Sequence, residues 1–318
     1  MHPTLQLLIC GCLCIATRQA FAEHTIIPIK LVDKLILIEG TVEDQTGYFI
    51  LDLGASDIIL NSRYYKGSDQ KPAEAFGING TVTAVEKTWA IANFGGVKWK
   101  RRIAHILSLR HLEKAKGEKI LGLVGGKFFH RYQLLIDLSR MEIEIAKNQA
   151  KDIIGLLGDR FTEPDAIIPF KYKGGMPWIE VRIASNAFKF GLDTASEFSL
   201  MDTKWLPFVQ DLLFNRRKVK TRGISTKTKS VLRGKLAQLE IGPLSCYPMS
   251  TLFTSMTNIN NNLAGAKLDG LLGFDFLRQF KVLVDYDHKD ILIWRHTLAR
   301  GYPLVLGQAP LRDSLRVK

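Results

Sequence analysis

Two aspartates, Asp52 and Asp193, stand in matching text. Phe49-Ile50-Leu51-Asp52-Leu53-Gly54-Ala55-Ser56 is answered by Phe190-Gly191-Leu192-Asp193-Thr194-Ala195-Ser196. An Ile-Ile-Pro-x-Lys segment begins 26 residues before each, at Ile26 and Ile167. A Gly-x-x-Gly follows far downstream, at Gly122 and Gly125, then at Gly270 and Gly273. Another aspartate comes 12 residues after the second glycine both times, at Asp137 and Asp285. A duplicated unit with one carboxylate per copy can bring two carboxylates together at a pseudo-twofold axis. Two carboxylates held close together cannot both ionise, so such a pair shares a proton.

The elements that must position this pair are read from composition and pattern. The chain has 318 residues, 46% of them hydrophobic, enough for a large core or two lobes. Copy one opens with strand-like text at Thr25 to Ile29, Lys34 to Val42 and Tyr48 to Leu51, and continues through Ile58-Ile59-Leu60. A turn signal inside apolar text, Ala75 to Thr81, suggests a hairpin. Thr88 to Phe94 and Ile103 to Leu109 are further strands, and Lys127 to Tyr132 is a short helix. Gln133 to Asp137 and Met141 to Ala146 form a terminal hairpin. Copy two repeats the plot, with strands at Ala166 to Phe170, Trp178 to Ile183, Phe188 to Leu192 and Val231 to Ile241. A helix at Phe274 to Phe280 and a hairpin of Lys281 to Asp285 with Asp290 to Trp294 close it. Many short strands, few helices and glycine punctuation imply an all-β architecture of two lobes, 23–147 and 165–296. A linker at 148–164 joins them and a tail occupies 297–318.

The N-terminus is different in kind. An apolar run from Leu5 to Ala16, followed by Ala20-Phe21-Ala22, reads as a signal peptide over 1–22, which implies a periplasmic or extracellular protein. Cys10, Cys12 and Cys14 lie inside it, and a lipid-anchored envelope protein is the minority reading. Cleavage leaves Cys246 alone, a small buried hydrophobe with no disulfide partner. No apolar run after residue 22 is long enough to span a membrane. The net charge is +13, concentrated in Lys98 to Arg102 and Arg216 to Arg222. A solvated basic face accounts for both clusters, and attraction to an acidic substrate or membrane surface is the functional alternative. No nucleic-acid module surrounds them. His105, His111, His130, His288 and His296 show no metal-ligand spacing, so neither metal nor cofactor is expected.

The two Asp-centred segments, each followed by a distant apolar-apolar-Gly and a short helix, resemble the aspartic peptidases. The distances, Asp52 to Gly125 and Asp193 to Gly273, are 73 and 80 residues. The arrangement resembles pepsin in having two units per chain, and two fused retropepsin-type subunits in the brevity of each. The resemblance covers nearly all of the chain after residue 22. It implies a bilobal all-β fold and an endopeptidase whose Asp52/Asp193 dyad activates water against a polypeptide. It also implies a flap at Gly77, Ile78, Asn79 and Gly80, with a possible counterpart near Gly223, and a self-sufficient monomer. Gly54, Thr194, Ala195 and Ser196 are the residues that would support the dyad, Ser196 by hydrogen bonding Asp193. Leu53 stands where the family carries a hydroxyl that grips the opposing loop, and Ala195 where it carries glycine. These departures keep open an inactive, peptide-binding descendant. Position 53 is expected at the lobe interface, where its apolar side chain would raise the pKa of the pair. Asp137 and Asp285 read as turn residues.

Overall fold

The computed structural model describes residues 24–67, 69–77, 80–147, 162–222, 228–263, 265 and 267–296. The expected signal segment, most of the linker, the tail, and Ile78, Asn79 and Gly223 lie outside the described residues. The chain is predominantly β. Alternation drives this locally: in Met176–Ile183 every second residue from Ile179 to Ile183 is buried, the pattern of a strand with one face in a core. Strands such as Gly122–Gly125 and Met249–Thr254 are buried throughout and occupy sheet interiors.

The two halves of the chain repeat one hydrogen-bonding frame. Gln45–Asp52 runs parallel to Gly122–Gly125, with Asp52 opposite Gly125. Asn186–Leu192 runs parallel to Gly270–Leu272, with Leu192 opposite Leu272. Ile59 and Leu200, each seven residues after its aspartate, pair antiparallel with Leu123 and Leu271. The same two residues pair in parallel with His105 and Leu252 on their other side. In the first half, pairing of Leu35–Val42 with Gly80–Phe94 closes the sheet into a barrel.

A third sheet joins the halves. Its order is Ala166–Pro169, Asp290–Arg295, Phe280–Asp285, Tyr132–Asp137, Glu142–Lys147 and the first part of His24–Val32. The order is symmetric about its centre. Leu283 pairs with Leu135, flanked by Val282 with Ile136 and Val284 with Leu134. With Asp137 equivalent to Asp285, Leu135 and Leu283 are equivalent to each other. The local twofold therefore passes between them, the geometry of a self-complementary interface built within one chain. One hydrophobic core contains residues of both halves, Ile27 to Ile293.

Several boundaries differ from the sequence reading. The expected helix at Lys127 to Tyr132 is a single 3₁₀ turn, Gly126–Phe128, because the hairpin strand already begins at Tyr132. The helix after Gly273 ends at Leu277, and Phe280 opens the next strand. Val231 to Ile241 is not continuous: Thr228–Leu236 and Glu240–Ile241 join different neighbours. The strand ending at Leu107 is followed by a helix, Arg110–Lys116, closed by Gly117 at φ 68°. The basic run at 216–222 is part of a strand, Leu213–Arg222, paired with Thr228–Leu236. The hairpin expected near Gly77 is present. Asp69–Gly77 pairs with Gly80–Phe94, Gly77 opposite Gly80, and lies against the helix Thr257–Asn262 of the second half.

Candidate active site

Each aspartate leaves a buried parallel strand and enters a tight loop. Ala55 N–H donates to Asp52 C=O at 3.2 Å, and Ser196 N–H donates to Asp193 C=O at 3.3 Å. Each loop is then fixed from below by the downstream glycine segment. Gly126 N–H donates to Ala55 C=O at 2.8 Å, and Phe274 N–H to Ser196 C=O at 2.9 Å. Glycine is required there because the two backbones touch. A Cβ on Gly125 would sit 2.5 Å from the Asp57 carbonyl oxygen, and one on Gly273 2.6 Å from those of Ser196 and Phe198.

The loops bring the carboxylates together. The Asp193 carboxylate lies on the backbone of Gly54, so that a Cβ at 54 would be 2.7 Å from Asp193 Cγ. Ala55 N–H donates to Asp52 Oδ1 and Ala195 N–H to Asp193 Oδ1, both at 3.0 Å. Ala195 takes the place of the second glycine; its methyl is partly buried against the apolar cluster of Leu35, Leu37 and Ile50.

Thr194 locks one loop to the other. Its hydroxyl, fully buried, donates to Leu51 C=O at 2.7 Å and accepts from Leu53 N–H at 2.9 Å. Leu53 thus takes part in the crossing contact through its backbone, and its side chain is fully buried in the main core. Ser196 does not bond the Asp193 carboxylate as expected. Its hydroxyl donates to Phe198 C=O at 2.7 Å, and the residue serves the carboxylate through its backbone N–H. A serine hydroxyl this close to a turn carbonyl satisfies itself locally.

Burial raises the pKa of both carboxyls. Asp52, buried at 6% exposure, is pushed up to about 8 by desolvation and by the charge of Asp193, against the N–H groups of Ala55 and Gly54. Asp193, half-buried, is also raised by desolvation, against the N–H groups of Ala195 and Ser196. The charged forms lose water that the loop N–H groups only partly replace.

The pair sits in a cleft of about 670 Å³ lined by both halves. Leu35, His105, Phe198 and Arg233 line it with the aspartates, and none was singled out for the site from sequence. Asp57 and Phe198, each five residues after its aspartate, are recoverable by laying one copy on the other. Asp137 and Asp285 are turn residues. Asp137 Oδ1 accepts from Ser139 and Arg140 N–H, and Asp285 Oδ1 from Asp287 and His288 N–H. Cys246 is buried, its thiol pushed up to about 12 by desolvation. Among the described residues no three His, Cys, Asp or Glu side chains are grouped to hold a metal ion. Among them, too, no helix is long and apolar enough to cross a membrane. No protein-family model matches the sequence, and no curated protein matches it significantly.

Proposed function

We propose that the chain is a bilobal, exported aspartic endopeptidase in which Asp52 and Asp193 form the catalytic dyad. The observation that carries this reading is the contact of the Asp193 carboxylate with the Gly54 backbone, two residues after Asp52, in loops tied together by Thr194. The pair holds one proton over a wide pH range. Asp52, the more buried, keeps it, and Asp193 carries the charge. Asp193 then takes a proton from water as the water oxygen attacks the peptide carbonyl carbon, while the Asp52 carboxyl gives its proton to the carbonyl oxygen, forming a gem-diol. On collapse of the gem-diol the C–N bond breaks, Asp193 gives its proton to the leaving amine and Asp52 takes one from a diol hydroxyl, which restores the pair. The hairpin around Gly77 and Gly80, lying against the helix Thr257–Asn262, supports a flap over an extended polypeptide.

Digestion of a denatured protein mixture by the full chain, from pH 3 to pH 8, tests this. Cleavage abolished in both Asp52→Asn and Asp193→Asn is expected. A wild-type protein that cuts nothing, or an Asp→Asn variant that still cuts, overturns it. One observation favours a catalytically silent peptide binder instead. The hydroxyl bridge is made from Thr194 only, since position 53 has none to return.

A further inference from the structure

The local twofold makes the two sides of the cleft comparable residue by residue, and they differ in charge. Arg233 lies opposite Leu252, which pairs with Leu200. Lys87 lies opposite His105, which pairs with Ile59. The set Phe198, Arg233 and Leu252 beside Asp193 therefore corresponds to Asp57, Lys87 and His105 beside Asp52. On the Asp52 side the local carboxylate is neutralised, Asp57 pairing with Lys127 Nζ at 3.1 Å. On the Asp193 side the cation has no such partner among the described residues. Arg233 lines the cleft half-buried, its guanidinium stacked 4.3 Å above the Phe198 ring and hydrogen-bonded to Ser250 Oγ at 3.2 Å. No described carboxylate lies within ion-pair distance of it.

Asp275, the acid whose charge acts on Arg233, is already occupied. It is contacted by Lys34 at 3.0 Å and Arg278 at 3.3 Å, and accepts from Ser250 N–H at 2.9 Å. Arg217 faces Arg233 across the hairpin, so like charges stand in register where opposite charges would stabilise the pair. Lys220, exposed on the same hairpin, also lines the cleft and has no carboxylate partner among the described residues. The other carboxylate on the rim, Glu197, is held by Lys116 at 2.8 Å. Burial and Arg217 lower the Arg233 pKa, the mark of a positive charge without full compensation.

We infer that the cleft wall of Phe198, Arg233 and Lys220 is a subsite for an acidic side chain, so that the substrates are polypeptides bearing Glu or Asp close to the scissile bond. This rests on the peptidase reading for its reaction but not for its recognition. A guanidinium held over an aromatic ring keeps N–H groups free to offer the fork geometry that a carboxylate accepts. Phe198 is five residues after Asp193, so the cation rests against the segment that follows Asp193.

The test uses a peptide library in which Glu and Gln alternate at each position around the cleavage site. The full chain is assayed for cleavage, and Asp52→Asn for equilibrium binding by fluorescence anisotropy. At one position close to the scissile bond, Glu is expected to exceed Gln about tenfold in both assays, the scale of a charge-assisted hydrogen bond. Arg233→Gln should bring that ratio to about one, Arg233→Lys should keep part of it, and Lys220→Gln should lower it without the packing change at Phe198. Equal cleavage and binding of Glu and Gln peptides overturn the subsite, as does a ratio untouched by Arg233→Gln and Lys220→Gln. Glu-selective, Arg233-dependent binding with no cleavage by the wild type would leave the subsite standing and remove the peptidase. Cleavage without acidic preference would do the reverse.

Discussion

At the scale of single residues, the site depends on where buried polar groups find partners. Thr194 satisfies two backbone groups of the opposite loop with one hydroxyl. Thr194→Val keeps the volume and strands both, at about 1–3 kcal/mol for each unsatisfied group. Thr194→Ser should lie within about 1 kcal/mol of wild type, because both hydrogen bonds survive. Urea denaturation of the two variants separates these outcomes. The aspartates make a pH prediction of definite sign. Both carboxyls are raised in the folded chain, Asp52 to about 8. Between the ordinary carboxylate range and that value the native state binds more protons than the unfolded one, so stability is full at acid pH and falls as pH rises. Asp52→Asn removes the share of this loss that belongs to Asp52. Thermal melts should show the variant more stable than wild type near pH 8 and little different near pH 3.5; the opposite order would mean that the carboxyl pKa is lowered, not raised.

Among the elements, the two glycine segments under the loops are the most constrained. A methyl at Gly125 or Gly273 meets backbone carbonyl oxygens, which cannot rotate away as a side chain can. Gly125→Ala and Gly273→Ala should each cost about 3 kcal/mol or more, and open the dyad loop in whatever chain still folds. Gly117→Ala is the comparison. That glycine closes a surface helix at φ 68° with nothing within 4 Å of an added Cβ, so only the left-handed backbone is strained, at about 1 kcal/mol. If the three variants melt alike, close backbone approach is not what demands glycine at 125 and 273.

For the whole molecule, the sheet that joins the halves matters most. Leu135 and Leu283, both fully buried, pair at its centre, and its edges are Ala166–Pro169 and His24–Val32, the opening strand of each half. Both aspartates therefore reach the site from one polypeptide. Specific activity should stay constant on dilution from micromolar to nanomolar protein, as checked in a fixed-substrate assay. A fall on dilution would mean that a second copy completes the site. The basic hairpin gives the molecule its charge asymmetry. Leu213–Arg222 carries five cations and no acid towards the net charge of +13, and its Val219, Lys220 and Thr221 line the cleft that holds the two aspartates.

Duplication, strand text and the two aspartates were legible in the sequence because they rest on local rules. Alternation has a period of two, glycines mark close backbone approach, and identical spacings mark a repeated frame. The paired glycines and the terminal Asx turns followed from the same rules. Helix ends were misjudged at Phe128 and Leu277, because strand pairing across the joining sheet claimed Tyr132 and Phe280. The sequence also marked Leu53 and Ser196 as positions to watch, but not what they do. Leu53 acts through its N–H and Ser196 turns its hydroxyl to its own loop, since hydrogen bonds go to the nearest unpaired group in three dimensions. A raised pKa for the pair was expected through apolar Leu53, but tertiary structure decided its causes, the burial of Asp52 and the charge of Asp193, and that Arg233 has no carboxylate partner among the described residues. Both depend on charge and desolvation, set by groups that lie far apart in the chain and a few ångströms apart in the fold.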